Sequence, residues 1–272
     1  MKRFFTWMVL SCFLFSPSRP LASEEKHFDS PAPLEAWDQR SLNAQDWFFS
    51  ELPQHIANDL RESFWNRWQL LGLAGGSLAV GILYKQDSSI QKSFQPNRPL
   101  GSLFDKTMTY GFHPLLLGFG TLSALGISEL YHDRKASVVS GTMFEALALT
   151  EVITLGLQFA TQRKRPDGSN SLSFPSAHTS GAFALASVAT AAYGPWVGLP
   201  SYALASLIGI SRIDSNRHVA SDVAAGALLG TLLGWGTAKF HGEKFKRIFL
   251  LPRISTSDSE PEQAGISMIK AF

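Results

Sequence analysis

QFATQRKRPDGSNSLSFPSAHTSG opens the stretch Gln158–Asp222, and SRIDSNRHVASD closes it after an apolar span. Three clusters sit in it. The first supplies fixed cations, Arg163, Lys164 and Arg165, ended by Pro166. The second, Phe174-Pro175-Ser176-Ala177-His178, sets a hydroxyl and an imidazole where Pro175 pre-sets a helical φ. The third joins Ser211-Arg212 to His218 and Asp222, spaced i, i+4.

Each spacing has a chemical reading. Residues four apart share one helix face, so Asp222 is expected to accept a hydrogen bond from one ring nitrogen of His218 and fix its tautomer. The other nitrogen is then free to attack. The N–H groups that open a helix after Pro175 make an anion cradle, and His178 in that first turn is placed to give up a proton. Arg165 and Arg212 offer planar forks that match phosphoryl oxygens in pairs. Such a set suits the binding and cleavage of a phosphate ester and requires no metal.

The three clusters resemble the type-2 phosphatidic acid phosphatase and vanadium haloperoxidase superfamily, which reads K-x6-R-P, P-S-G-H and S-R-x5-H-x3-D. The resemblance covers roughly residues 105–240, and the third cluster matches in full. It implies an all-α helical bundle in which His218 is the nucleophile that forms a phosphohistidine. Asp222 would orient it, and His178 would be the acid for the leaving group. It also implies that Arg165, Arg212 and Ser176 grip the phosphoryl oxygens, together with the Ala177 backbone N–H where the family has glycine. At the family lysine this chain has Gln158, which donates a hydrogen bond without charge. Arg163 and Lys164 are the neighbouring cations left open as substitutes.

Composition agrees with a membrane-embedded helical protein. Of the 272 residues, 45% are hydrophobic and 17% charged, below the roughly 25% charged of soluble proteins. A net charge of +2 gives no ground for a nucleic-acid partner. One cysteine, Cys12, excludes an intrachain disulfide framework and a thiolate metal cluster. Residues 1–23 have the basic start, short apolar run and small-residue exit of a signal peptide, with a short N-terminal anchor as the other reading. Residues 24–64 read as a polar segment, residues 65–240 as the helical domain and residues 241–272 as a basic, then polar, tail. Trp37, Trp47, Trp65 and Trp68 suit either a membrane–water boundary or packing of a small helix on the bundle.

Six apolar spans are expected, at about Leu70–Tyr84, Tyr110–Leu130, Ala136–Ala160, Ala177–Tyr193, Trp196–Ile210 and Val219–Ala238. Together they predict a six-helix transmembrane bundle. Glu145 and Glu151 fall inside the third span, where a carboxylate faces protein or water. Both a structural hydrogen bond and, for Glu151, orientation of Gln158 or an arginine are open readings. His113 reads as a capping or interface histidine. Asp214 and Arg217 read as a solvated pair or as selectors of a head group. The expected partner is a lipid phosphate in a bacterial-type inner membrane, with the site facing the periplasm or exterior. No cofactor and no nucleic acid are expected. The rival readings are a secreted soluble acid phosphatase of the same superfamily, a vanadate-dependent haloperoxidase, and a lipid-binding relative without turnover.

Overall fold

The structure, a computed structural model, describes residues 52–64, 67–95 and 98–241. The signal reading of residues 1–23, Cys12, Trp37, Trp47, Trp65 and the tail beyond His241 lie outside the described residues. Those residues form eight helices and no strand: α1 (Leu52–Phe64), α2 (Arg67–Phe94), α3 (Gly101–Gly111), α4 (Pro114–Leu130), α5 (Arg134–Thr161), α6 (Ala177–Tyr193), α7 (Pro195–Asp214) and α8 (Ala220–Phe240). The all-α expectation agrees with this.

Helices α6 and α8 form the centre because their sequences let two backbones touch. Gly226, Gly230 and Gly234 recur every fourth residue of α8 and so share one face. A Cβ on them would meet the carbonyl oxygens of Ser176, Ser180 and Ala184, at 2.6, 2.0 and 2.5 Å. Those partners are themselves four apart on α6 or its cap, so two stripes of small residues interlock. Around this pair, α5 and α7 pack on α6, and α1, α2 and α5 pack on α8. The α4 helix lies against α5, and α3 against α7. The stretch Leu52–Phe64, which the sequence places in the polar N-terminal segment, therefore supplies a helix that packs on α8, with Thr237 donating to Asp59 at 3.2 Å.

The outer faces are apolar. Phe119, Leu130, Val152, Phe159, Trp196 and Leu199 are all exposed, a surface that is costly to leave in water. The six expected spans map onto helices, but unevenly. Tyr110–Leu130 is broken at Phe112-His113 into α3 and α4, which bend by 50°. Pro114 opens α4, with His113 as its cap, accepting from Leu115 N–H at 3.3 Å. Among the described residues one helix, Lys135–Thr161, is long and apolar enough to cross a bilayer, or two if the bent pair makes one span. The 17 residues of α6 rise only about 25 Å, short of a hydrocarbon core of about 30 Å.

Candidate active site

Four helix ends meet at one end of the bundle: the C-termini of α5 and α7 and the N-termini of α6 and α8. The loop 162–176 between α5 and α6 closes over them. Within it Arg165 N–H donates to Asn170 O at 2.9 Å, and Ser173 N–H to Arg163 O at 3.0 Å. The chain end of α8 ties in directly, since Ser176 N–H donates to Asp222 O at 3.0 Å.

His218 is 2% exposed and lies outside α8, two residues before its first turn. Its Nδ1 is 2.8 Å from the Ser173 carbonyl oxygen and 3.7 Å from Asp222 Oδ2. A carbonyl can only accept, so Nδ1 carries the proton and Nε2 keeps its lone pair. The expected direct bond to Asp222 gives way to this one for a local reason. Asp222 is the third residue of α8 and caps the helix, accepting from Val219 N–H at 3.2 Å. Its Oδ2 also accepts from Ser173 Oγ at 2.6 Å, so it reaches His218 chiefly through Ser173. Burial pushes the His218 imidazole below the ordinary histidine range, with Asp222 and the Ser173 bond opposing and Arg165 adding to the fall.

Asp222 is fully buried, and its counter-charge is Arg163, not Arg165. Arg163 donates to Asp222 Oδ1 at 2.7 Å, to Ser221 Oγ at 2.8 Å and to Asp87 Oδ2 at 2.8 Å. It is thereby engaged and cannot stand in for a lysine at position 158; Lys164 is exposed. Gln158, 5% exposed, donates to the Pro175 carbonyl at 2.8 Å and so ties the end of α5 to the loop.

Arg212 is 2% exposed. It is held by Asp105 Oδ1 at 3.1 Å and by the neighbouring Ser211 hydroxyl. Arg165 is partly buried, and its Nε has no hydrogen-bond partner. Burial, then repulsion from Arg217, holds Arg165 below the ordinary guanidinium range, against Asp167 and Asp222. Arg212 is pushed down to about 10 by burial, with Asp105 opposing and Arg217 and Arg165 adding to the fall. Both stay charged at neutral pH. Arg165, Arg212 and Arg217 lie close enough to repel one another, and of these Arg212 is paired with Asp105 and Arg217 with Asp167.

His178 lies within electrostatic reach of both Arg212 and His218, so the two imidazoles share one end of the bundle. Its Nε2 is 3.1 Å from Thr109 O, and its ring meets His113 edge-on at 5.3 Å. Ser176 is fully buried, with its hydroxyl accepting from Thr179 Oγ1 at 3.0 Å, and the partly buried Ala177 opens α6.

Residues 140–246 match the family model described as the PAP2 superfamily. All three clusters fall inside that range. Over this region the chain resembles the PAP2 superfamily. Over 80 residues the chain is 48% identical to the lipid A 1-phosphatase of Porphyromonas gingivalis, a match that covers 28% of this chain and 18% of that protein. The chain thus matches less than a fifth of that relative's length. No solved structure gives a significant match.

Several residues at this end of the bundle carry no signal in the sequence. Asp87, Asp105, Ser173 and Ser221 carry no motif spacing; only the folded chain brings α2 and α3 to the loops that hold Arg163 and His218 and to Arg212. Asp214, one half of the pair read as solvated, is fully buried at the end of α7, 3.5 Å from Leu100 N–H. Arg217 is exposed and pairs with Asp167 at 3.4 Å. Glu151 Oε1 has no hydrogen-bond partner and abuts Gly181, so it orients neither Gln158 nor an arginine. Glu145 takes the structural reading, accepting from His241 at 2.9 Å. Asp59, Glu145 and His241 bring one ligand atom each within 4.8 Å, at the opposite end of α8 from His218, where they are engaged in hydrogen bonds within the bundle.

Proposed function

We propose that the chain is a metal-independent phosphatase acting on a phosphate or pyrophosphate ester of a membrane lipid, through a phosphohistidine. The observation that carries this reading is His218, whose Nδ1 is tied to the Ser173 carbonyl while Nε2 remains free beside a cluster of guanidiniums. The PAP2 match and the lipid A 1-phosphatase relative support the same class.

In this reading the phosphoryl group rests on Arg165, Arg212 and the N–H groups that open α6 at Ala177. Nε2 of His218 attacks phosphorus, the P–O bond to the lipid breaks, and His178 gives its proton to the departing oxygen. Water then attacks the phosphohistidine, with His178 taking the proton, and inorganic phosphate leaves. His178 must exchange its contact with Thr109 O for the substrate oxygen. The cationic cradle supplies most of the rate gain by matching charge that builds on the equatorial oxygens.

The apolar exterior supports a site among lipid head groups. We assign the helices to a bacterial-type inner membrane, with the six spans of the sequence crossing or dipping into it and the site facing the periplasm or exterior. Purified chain is tested for phosphate release from lipid and water-soluble phosphates without added metal, beside His218→Ala. Turnover that is lost in the variant supports the reading; turnover that requires a divalent ion overturns it. Partition of the protein between wash and detergent fractions separates the membrane form from a secreted acid phosphatase.

A further inference from the structure

The orienting carboxylate of this site does not act alone. Asp222 lies fully buried beside a partly buried guanidinium, and that guanidinium is shared with a second carboxylate from a distant helix. We propose that Arg163, anchored by Asp87 of α2, is a positioning residue that sets the attacking geometry of His218 through Asp222 and Ser173. The proposal rests on the phosphatase reading for its kinetic consequence and on the network alone for its structural one.

Arg163 NH1 binds Asp222 Oδ1 at 2.7 Å and Ser221 Oγ at 2.8 Å, while NH2 binds Asp87 Oδ2 at 2.8 Å. Asp87 in turn accepts from Ser221 N–H at 2.8 Å and from Ser221 Oγ at 2.5 Å. Both acids therefore clamp the first turn of α8. With Oδ1 of Asp222 fixed by Arg163, Oδ2 is aimed at Ser173 Oγ, 2.6 Å away, and the Ser173 carbonyl holds His218 Nδ1. The Arg163 carbonyl also receives the Ser173 N–H, so one residue fixes Ser173 from both its backbone and its side chain. Tyr84, one turn before Asp87, lies under the guanidinium at 5.1 Å. A planar fork suits this arrangement, because NH1 and NH2 reach Asp222 and Asp87 from two separate nitrogens where an ammonium offers one.

Arg163 also balances charge. The charged or titratable groups around His218 are Asp222 from α8, Arg165 from the loop and His178 from α6. Removing Arg163 leaves the Asp222 carboxylate, 3.7 Å from Nδ1, without its nearest cation. The carboxylate then draws a second proton onto the imidazole, and the protonated ring has no lone pair to attack with.

The test compares full-length wild type with Arg163→Gln, Arg163→Lys and Asp87→Asn. It reads kcat and KM against pH, and the protonation of His218 by NMR of 15N-histidine-labelled protein in detergent. Arg163→Gln is expected to lower kcat about 10- to 100-fold with KM changed less than about threefold. The acid limb and the His218 titration should both move up by about one unit. Arg163→Lys should restore the titration but only part of kcat. Asp87→Asn, which keeps its shape, should show a smaller change in the same direction, and it decides the matter if Arg163→Gln does not fold. Variants with wild-type kcat and an unmoved His218 titration, but lower heat stability, reduce Arg163 to a structural brace and overturn the proposal. If wild type releases no phosphate, the phosphatase reading fails, while the NMR titration still decides the positioning.

Discussion

Nδ1 of His218 and Oδ2 of Asp222 stand 3.7 Å apart, and the Ser173 carbonyl, at 2.8 Å, is the nearer acceptor. The pair thus works through a third residue. The Ser173 carbonyl accepts a hydrogen bond from the imidazole N–H and the Ser173 hydroxyl donates one to the carboxylate, so the tautomer is held by the carbonyl even when the carboxylate is changed.

Asp222→Asn should therefore weaken turnover without abolishing it. Loss of a charged hydrogen-bond partner is expected to remove about 1.5–3 kcal/mol of transition-state stabilisation, roughly one to two decades in kcat. His218→Ala should remove turnover altogether. Initial rates on one lipid phosphate check both; equal loss in the two variants would show that Asp222 acts on the ring directly.

Acid should destabilise the fold through His218. Its folded pKa lies below the unfolded value of about 6.5, so the unfolded chain binds the extra proton. The contribution is complete above about pH 6.5 and falls as pH drops toward the folded pKa, by up to about 1.4 kcal/mol per unit. Heat-inactivation midpoints between pH 5 and 8 should slope downward into acid for wild type, and less so for His218→Gln.

Gly230→Ala should loosen the whole site. Its Cβ would lie 2.0 Å from Ser180 O, a backbone atom that moves only if α6 and α8 separate. Overpacking of this kind is expected to lower stability by about 1–3 kcal/mol. Turnover should fall with it, because the N-termini of these two helices carry His178 and follow His218. A melting curve unchanged from wild type would mean that the helices are not in contact there.

Gln158→Leu should destabilise more than it slows. The Pro175 carbonyl loses its donor in a buried setting, an effect of about 1–3 kcal/mol. KM for the phosphate ester should stay within a few-fold, since the amide is turned toward the loop. A large rise in KM would instead place Gln158 on the substrate.

The sequence alone settled the helical class and the three clusters. Those features are local: apolar runs too long for strands, a proline before a helix start, and His218 and Asp222 at a fixed interval. It also marked Arg165, His178 and Arg212 as members of one site. The partners that tune the site were not legible. Asp87 and Asp105 sit in polar stretches with no spacing to mark them. They matter only because the glycine stripe of α8 draws α6 close and the packing of α2 and α3 then carries their carboxylates to Arg163 and Arg212. Likewise, an i, i+4 interval implies contact only if both residues are helical, and His218 precedes the helix that holds Asp222. Which acceptor receives the hydrogen bond from the imidazole N–H is decided by the loop folded over it, a long-range fact that no local pattern encodes.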